Sequence, residues 1–189
     1  MPETTTLIFD KPGPENTEAT LRAAAARAAA LGIDEFVVAT TTGRTALLAA
    51  DICKGRVIGV HLSAGLWKVF AGPDPEIVRQ AEAKGVRFLT ATHTLMGGVD
   101  SAVQKKFGGT PPADFIAHVL YLFGQGTKVA VEVAVMAADA GLLSMEKDVI
   151  AIAGTHTGAD TALVIKPAYS HDFFDLYIRE VIAKPGRPE

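Results

Sequence analysis

With 189 residues, a formal net charge of -3, and 49% hydrophobic against 21% charged residues, the chain has the composition of a single soluble globular domain. That charge leaves no basic footprint for nucleic acid, and no apolar run approaches the 18 or so residues of a membrane helix. Neither a signal peptide nor a membrane partner is expected, and a cytoplasmic location is; the lone Cys53 fits a packed core thiol within a helix better than a nucleophile.

In chain order, residues 5–9 form a short β-prone run, closed by the turn Asp10-Lys11-Pro12-Gly13-Pro14. Asn16 or Thr17 can cap an Ala-rich helix that Gly32 stops. The apolar strand 36–39 runs into Thr40-Thr41-Thr42-Gly43-Arg44-Thr45, and a helix from 45 to 54 follows, with Gly55 as its terminator. Residues 56–60 make a third strand ending in His61. Asp74 caps a helix over 75–84 with Pro75 at its first position, and Gly85 leads to a fourth strand over 86–91. Such alternation predicts an α/β sandwich with a largely parallel sheet.

From about 95 to 140 the pattern turns helical and reads as an insertion in the one domain. Gly97-Gly98 precedes 99–107, and an amphipathic helix runs through Phe115, Val119 and Leu122 until Gly124-Gln125-Gly126 breaks it. A helix over 127–140 carries Val129, Val133, Met136 and Ala140 on one side. Residues 149–153 and 161–165 read as strands whose short connection forces antiparallel pairing, which makes the sheet mixed. Residues 173–183 read as extended because Phe, Tyr, Ile and Val dominate, and 184–189 as a loose tail.

In open α/β sheets ligands sit outside the carboxyl ends of the strands. That edge is expected to gather Lys11, Asn16, Thr40 to Thr45, His61, Thr92, His93, Thr94, and the loop Thr155-His156-Thr157-Gly158-Ala159-Asp160 with Thr161. The turn at 40–45 can be a helix cap or a phosphate seat, since its backbone N–H groups and hydroxyls stand at a helix start. Three readings remain open for His61, His93 and His156: a zinc centre, loop-stabilising hydrogen bonds, or contact with an anionic or heteroaromatic ligand. Trp67 reads as a packing anchor, and Asp160 and Glu132 are the carboxylates placed for acid or base work. There is no Gly-x-Ser-x-Gly elbow for a hydrolase triad.

The run Val37-Val38-Ala39-Thr40-Thr41-Thr42-Gly43-Arg44-Thr45-Ala46 resembles the strand and phosphate loop of the pyruvate kinase C-terminal domain, and Ile150-Ala151-Ile152-Ala153-Gly154-Thr155 is similar to a loop near that domain's end. Pro12-Gly13-x-Glu15-Asn16-Thr17, Glu132-x-Ala134-x-Met136-Ala137-Ala138-Asp139-Ala140-Gly141 and Gly158-Ala159-Asp160-Thr161-Ala162-Leu163 resemble a stand-alone family with this fold. The resemblance implies a three-layer α/β/α sandwich with a mixed sheet, and bound FMN. It implies a phosphate loop made of Thr40, Thr42, Gly43, Arg44 and Thr45, and a second loop at Thr155 and Gly158. That second loop lacks the Trp and Pro of pyruvate kinase and carries His156 and Asp160 instead. The kinase's catalytic barrel is absent, so its activity does not carry over.

The expected function is binding of a phosphorylated small molecule, FMN first, with the ring near His61, His93 and His156. The competing expectations are an FMN-dependent oxidoreductase and a regulatory or assembly domain with a phosphate-effector site. A homo-oligomer is compatible with each.

Overall fold

The computed structural model describes residues 4–187. Seven strands, β1 (Leu7–Phe9), β2 (Glu35–Ala39), β3 (Arg56–His61), β4 (Arg87–Thr90), β5 (Val149–Ala153), β6 (Thr161–Lys166) and β7 (Tyr177–Pro185), form one sheet in the order β1-β7-β6-β5-β2-β3-β4. Strand β6 runs antiparallel to both neighbours, and every other adjacent pair is parallel. The predicted mixed, mostly parallel sheet is therefore present. Its central strand β5, Val-Ile-Ala-Ile-Ala, is buried at all five positions, the continuous apolar run expected of a strand covered on both faces.

The described residues form six α-helices: α1 (Thr17–Leu31), α2 (Arg44–Ile52), α3 (Pro75–Ala83), α4 (Val99–Phe107), α5 (Pro112–Tyr121) and α6 (Gln125–Asp139). Leu21, Ala24 and Ala28 of α1, Ala46 and Ala49 of α2 and Ala81 of α3 pack with Phe36, Val38, Ile150 and Ile152 on one face. On the other face α6 packs Ala130, Val131, Ala134 and Ala137 against Val37, Ile58, Ala151 and Leu163. Small side chains let these helices approach the sheet closely, as tight interior packing requires. Within 95–140, α6 is buried at twelve of its fifteen positions, from Gly126 to Ala138, and makes most of the second helical layer.

Asp74 caps α3 as its sequence predicts, accepting hydrogen bonds from the Glu76 and Ile77 N–H groups at 2.9 and 3.2 Å. Several other expectations change. Asn16 occupies the cap position of α1, but its side chain donates to the Lys11 carbonyl rather than to the helix. Helix α2 stops at Ile52, before Gly55, because Cys53 is already extended; the cysteine is not mid-helix. Gly55 serves another purpose, since a Cβ there would lie 2.4 Å from the Asp34 carbonyl oxygen.

Gly126 does not break a helix. It lies in the first turn of α6, where a Cβ would lie 2.2 Å from Thr161 Oγ1. Phe115 and Val119 of α5 and Leu122 just beyond its end face outward, and Asp114 and Ala117 face inward. The tail is ordered further than expected: Lys184 and Pro185 belong to β7 and pair with Ile8 and Phe9, while 188–189 lie outside the described residues.

A candidate ligand crevice at the carboxyl edge of the sheet

Strands β5, β2, β3 and β4 lie side by side and parallel, with Val38 opposite Ile152, Ala39 opposite Val60, and His61 opposite Thr90. Their carboxyl ends therefore emit four loops in a row, 154–160, 40–45, 62–74 and 91–98, across about 14 Å at ~4.8 Å per strand. The chain leaves β2 through α2 on one face to reach β3, and returns through α6 on the other face to reach β5 on the far side of β2. That reversal makes the ends of β2 and β5 a topological switch point, where open α/β sheets leave a crevice.

The turn at 40–45 is built from its own side chains. Thr40 Oγ1 is buried and accepts the Gly43 N–H at 3.1 Å. Gly43 adopts φ 99°, which only glycine takes easily, and a Cβ there would press on Ile77 and Val78 at 3.3 Å. The Thr42 carbonyl accepts from the Asp74 N–H at 3.0 Å, which pins the turn to the start of α3. Gly43 leaves α2 without a side-chain cap, and the first turn carries no acidic residue. The N–H groups of Arg44, Thr45 and Ala46 consequently have no acceptor within the helix. Thr41, Thr42 and Thr45 are half-buried beside them, and Arg44 is exposed.

His61 supports this turn from below. Its Nδ1 lies 2.9 Å from the Thr40 carbonyl oxygen, so this nitrogen carries the proton and donates. The ring stacks on Phe88 with centroids 4.7 Å apart and planes 7° from parallel. Burial pushes the imidazole pKa below its ordinary value, against the weaker pull of the backbone hydrogen bonds. Phe88 reaches this position because Gly59 faces it, and a Cβ at Gly59 would sit 2.6 Å from its ring. The only sequence signal for Phe88 is Gly59, the glycine opposite it in β3.

The loop at 154–160 is closed by Asp160, which is fully buried. One oxygen accepts from the Thr155 N–H at 3.1 Å and the other from the Thr161 hydroxyl at 2.8 Å. Gly158, at φ 74°, packs against Pro14 and Thr17, and the Thr17 hydroxyl accepts from the Ala159 N–H at 3.0 Å. The loop is thereby bound to the turn that contains Asn16. His156 and Thr157 are exposed at its tip, with His156 at φ 59°.

His93 belongs to a different environment. Its Nε2 accepts from the Ser63 N–H at 3.3 Å and its Nδ1 lies 3.6 Å from Glu132 Oε2 on α6. Glu132 is buried, pairs with Lys128 at 2.6 Å, and accepts from the Leu95 and Met96 N–H groups at 2.9 and 3.1 Å. Burial lowers the His93 pKa; Glu132 pulls it up and Lys128 down.

The three histidines therefore do not converge: His61 joins the layer of α1 to α3, His93 faces α6, and His156 is on an exposed loop tip. Among the described residues no group of three or more His, Cys, Asp or Glu side chains is placed to hold a metal ion, so a three-histidine zinc centre is not assembled. No helix among those residues is long and apolar enough to cross a membrane.

The model of one protein family, described as the pyruvate kinase alpha/beta domain, matches residues 18–165. The match covers nearly all of α1, all of α2 to α6, strands β2 to β5 and nearly all of β6, including the turn at 40–45 and the loop at 154–160. With most of its length matched and the mixed sheet in place between its helical layers, the chain belongs to the pyruvate kinase alpha/beta domain family.

Proposed function

We propose that the protein binds a phosphorylated ligand in the crevice between the β2 and β5 loops, and that this ligand is FMN. The observation that carries the reading is the uncapped start of α2 at the switch point, where free N–H groups, three half-buried threonine hydroxyls and an exposed arginine stand together with no acidic residue in the helix's first turn. These residues fit a phosphate: Arg44, Thr45 and Ala46 would supply backbone donors, and Thr41, Thr42 and Thr45 hydroxyls. The loop of Thr155, His156, Thr157 and Gly158 would flank the rest of the ligand. The choice of flavin rests on the resemblance to the stand-alone FMN-associated family.

Binding fits these side chains better than proton transfer does. His61 and His93 are engaged through Nδ1 with Thr40 and through Nε2 with Ser63, and both are held toward the neutral form. Both Asp160 oxygens accept hydrogen bonds within their own loop. When bound, FMN would supply redox chemistry that the side chains lack. The reading is tested by the absorbance spectrum of purified protein and by thermal unfolding with added FMN. At 100 times the dissociation constant, stabilisation of about 2.7 kcal/mol is expected. A colourless protein whose unfolding FMN does not shift would overturn it.

A further inference from the structure

Lys184, Pro185, Gly186 and Arg187 end the described chain, and the sheet holds them in place. Lys184 pairs with Ile8 and Pro185 with Phe9 of β1, and the Gly186 N–H donates to the Phe9 carbonyl at 2.8 Å. Gly186 suits that approach, because a Cβ there would lie 2.7 Å from Ile8 Cγ2. Since β6 runs antiparallel to both β5 and β7, the ends of β5 and β7 share the carboxyl edge of the sheet. Lys184 therefore stands two strand spacings, about 10 Å, from the end of β5 and Thr155. Between them α6 starts against the beginning of β6, where Gly126 meets Thr161. These segments enclose a crevice of about 640 Å³, bordered by Tyr121, Leu122 and Phe123 where α5 gives way to α6, and by Thr155, Lys184 and Arg187.

We propose that this crevice is a second ligand site, for an aromatic carboxylate of small-molecule size. Its volume lies in the range of such sites, roughly 300–1,000 Å³. No described residue that borders it is acidic, and among the described residues neither Lys184 nor Arg187 makes an ion pair. Asp160, which approaches Gly126, is fully buried, and both its oxygens are engaged by Thr155 and Thr161. The charge of the crevice is therefore positive. Leu122 is 83% exposed and Phe123 58%, and a Cβ on Gly124 beside them would meet nothing within 4 Å, so no part of the chain fills the space. Lys184 and Arg187 hold the carboxylate, whose two oxygens match the guanidinium fork, and Tyr121, Leu122 and Phe123 cover the ring. An uncharged ligand leaves the two cations unanswered, and an inorganic anion leaves the apolar residues in water. The site does not rest on FMN binding, because β2, which leads into the turn at 40–45, and β7, which carries Lys184, lie on opposite sides of β5.

The test is calorimetric titration with naphthoate, naphthol and acetate, with each variant checked for the fold by circular dichroism. Wild type is expected to bind naphthoate at least about tenfold more tightly than naphthol, which lacks the charge, or acetate, which lacks the ring. Lys184→Glu combined with Arg187→Glu should weaken naphthoate by about tenfold or more, as loss of charge-assisted hydrogen bonds does. Leu122→Ser, at an exposed position, should weaken naphthoate and leave acetate unchanged. Thr45→Glu, which places a carboxylate at the start of α2, should leave naphthoate binding as it is in wild type. Absence of saturable naphthoate binding to wild type overturns the proposal. So does naphthoate binding that the double charge reversal leaves unchanged, which makes the crevice an apolar patch only, or binding lost in Thr45→Glu, which puts the anion at the 40–45 turn.

Discussion

His61 Nδ1 donates to the Thr40 carbonyl oxygen at 2.9 Å, tying the last residue of β3 to the first residue of the turn that precedes α2. The bond needs a proton on Nδ1 only, so the neutral ring suffices, and burial against Phe88 disfavours the charged one.

This sets the sign of a pH dependence. The folded-state pKa values of His61 and His93 lie below the ordinary 6.5, so the unfolded chain takes up protons first as pH falls. Their contribution to stability is therefore fully present above about pH 6.5 and is lost progressively as acidification protonates the unfolded state. Denaturant midpoints should drop between pH 7.5 and 5.5, and the drop should shrink in His61→Gln and His93→Gln. An unchanged pH slope in both variants would contradict this.

Glu132 and Lys128 form a pair with side chains only 3% and 5% exposed. Glu132→Gln leaves the ammonium buried without its counter-charge and should cost about 3–5 kcal/mol. Adding Lys128→Met removes the orphaned charge and should recover most of that loss. Urea denaturation of the single and double variants measures both effects, and a single variant within 1 kcal/mol of wild type would show that the pair is not closed in solution.

Burial pushes the Cys53 thiol pKa up to about 12. At pH 8 the folded protein should leave an aromatic disulfide reagent almost untouched, and unfolding in guanidinium should release one fast-reacting thiol. Fast labelling of the folded chain would place Cys53 outside the core.

Much of the architecture was legible because each unit carries its own punctuation. Gly32 ends α1 at φ 69° and Asp74 caps α3, local effects that need no tertiary information. What the sequence concealed depends on contacts across the chain. Gly55 and Gly126 read as helix breakers, but both are required by close approach, to Asp34 and to Thr161. Phe115, Val119 and Leu122 mark the apolar face of an amphipathic helix, but periodicity shows that a face is apolar without showing which way it points.

At the site, the carboxyl-edge placement of the polar loops followed from strand order alone. The histidines look equivalent in sequence, each ending or following an apolar strand, yet His61 and His93 turn to opposite helical layers. Gly43 is the wrong place to test the seat with a carboxylate. Its φ of 99° and the 3.3 Å approach of Ile77 and Val78 mean that any side chain there strains the fold itself.

Thr45→Glu avoids that difficulty and tests the central claim most directly. The position is in the first turn of α2 and half-buried, so a carboxylate there complements the positive helix end and should raise stability by about 0.3–1 kcal/mol. The same carboxylate occupies the phosphate seat and should weaken FMN binding about 100-fold, roughly 2.7 kcal/mol. The measurement is a fluorescence titration of wild type and Thr45→Glu with FMN and with riboflavin, which lacks the phosphate. The account predicts that wild type prefers FMN to riboflavin and that the substitution abolishes the preference in a protein that remains folded. Equal affinity of wild type for the two flavins, or FMN binding unchanged by Thr45→Glu, would contradict it.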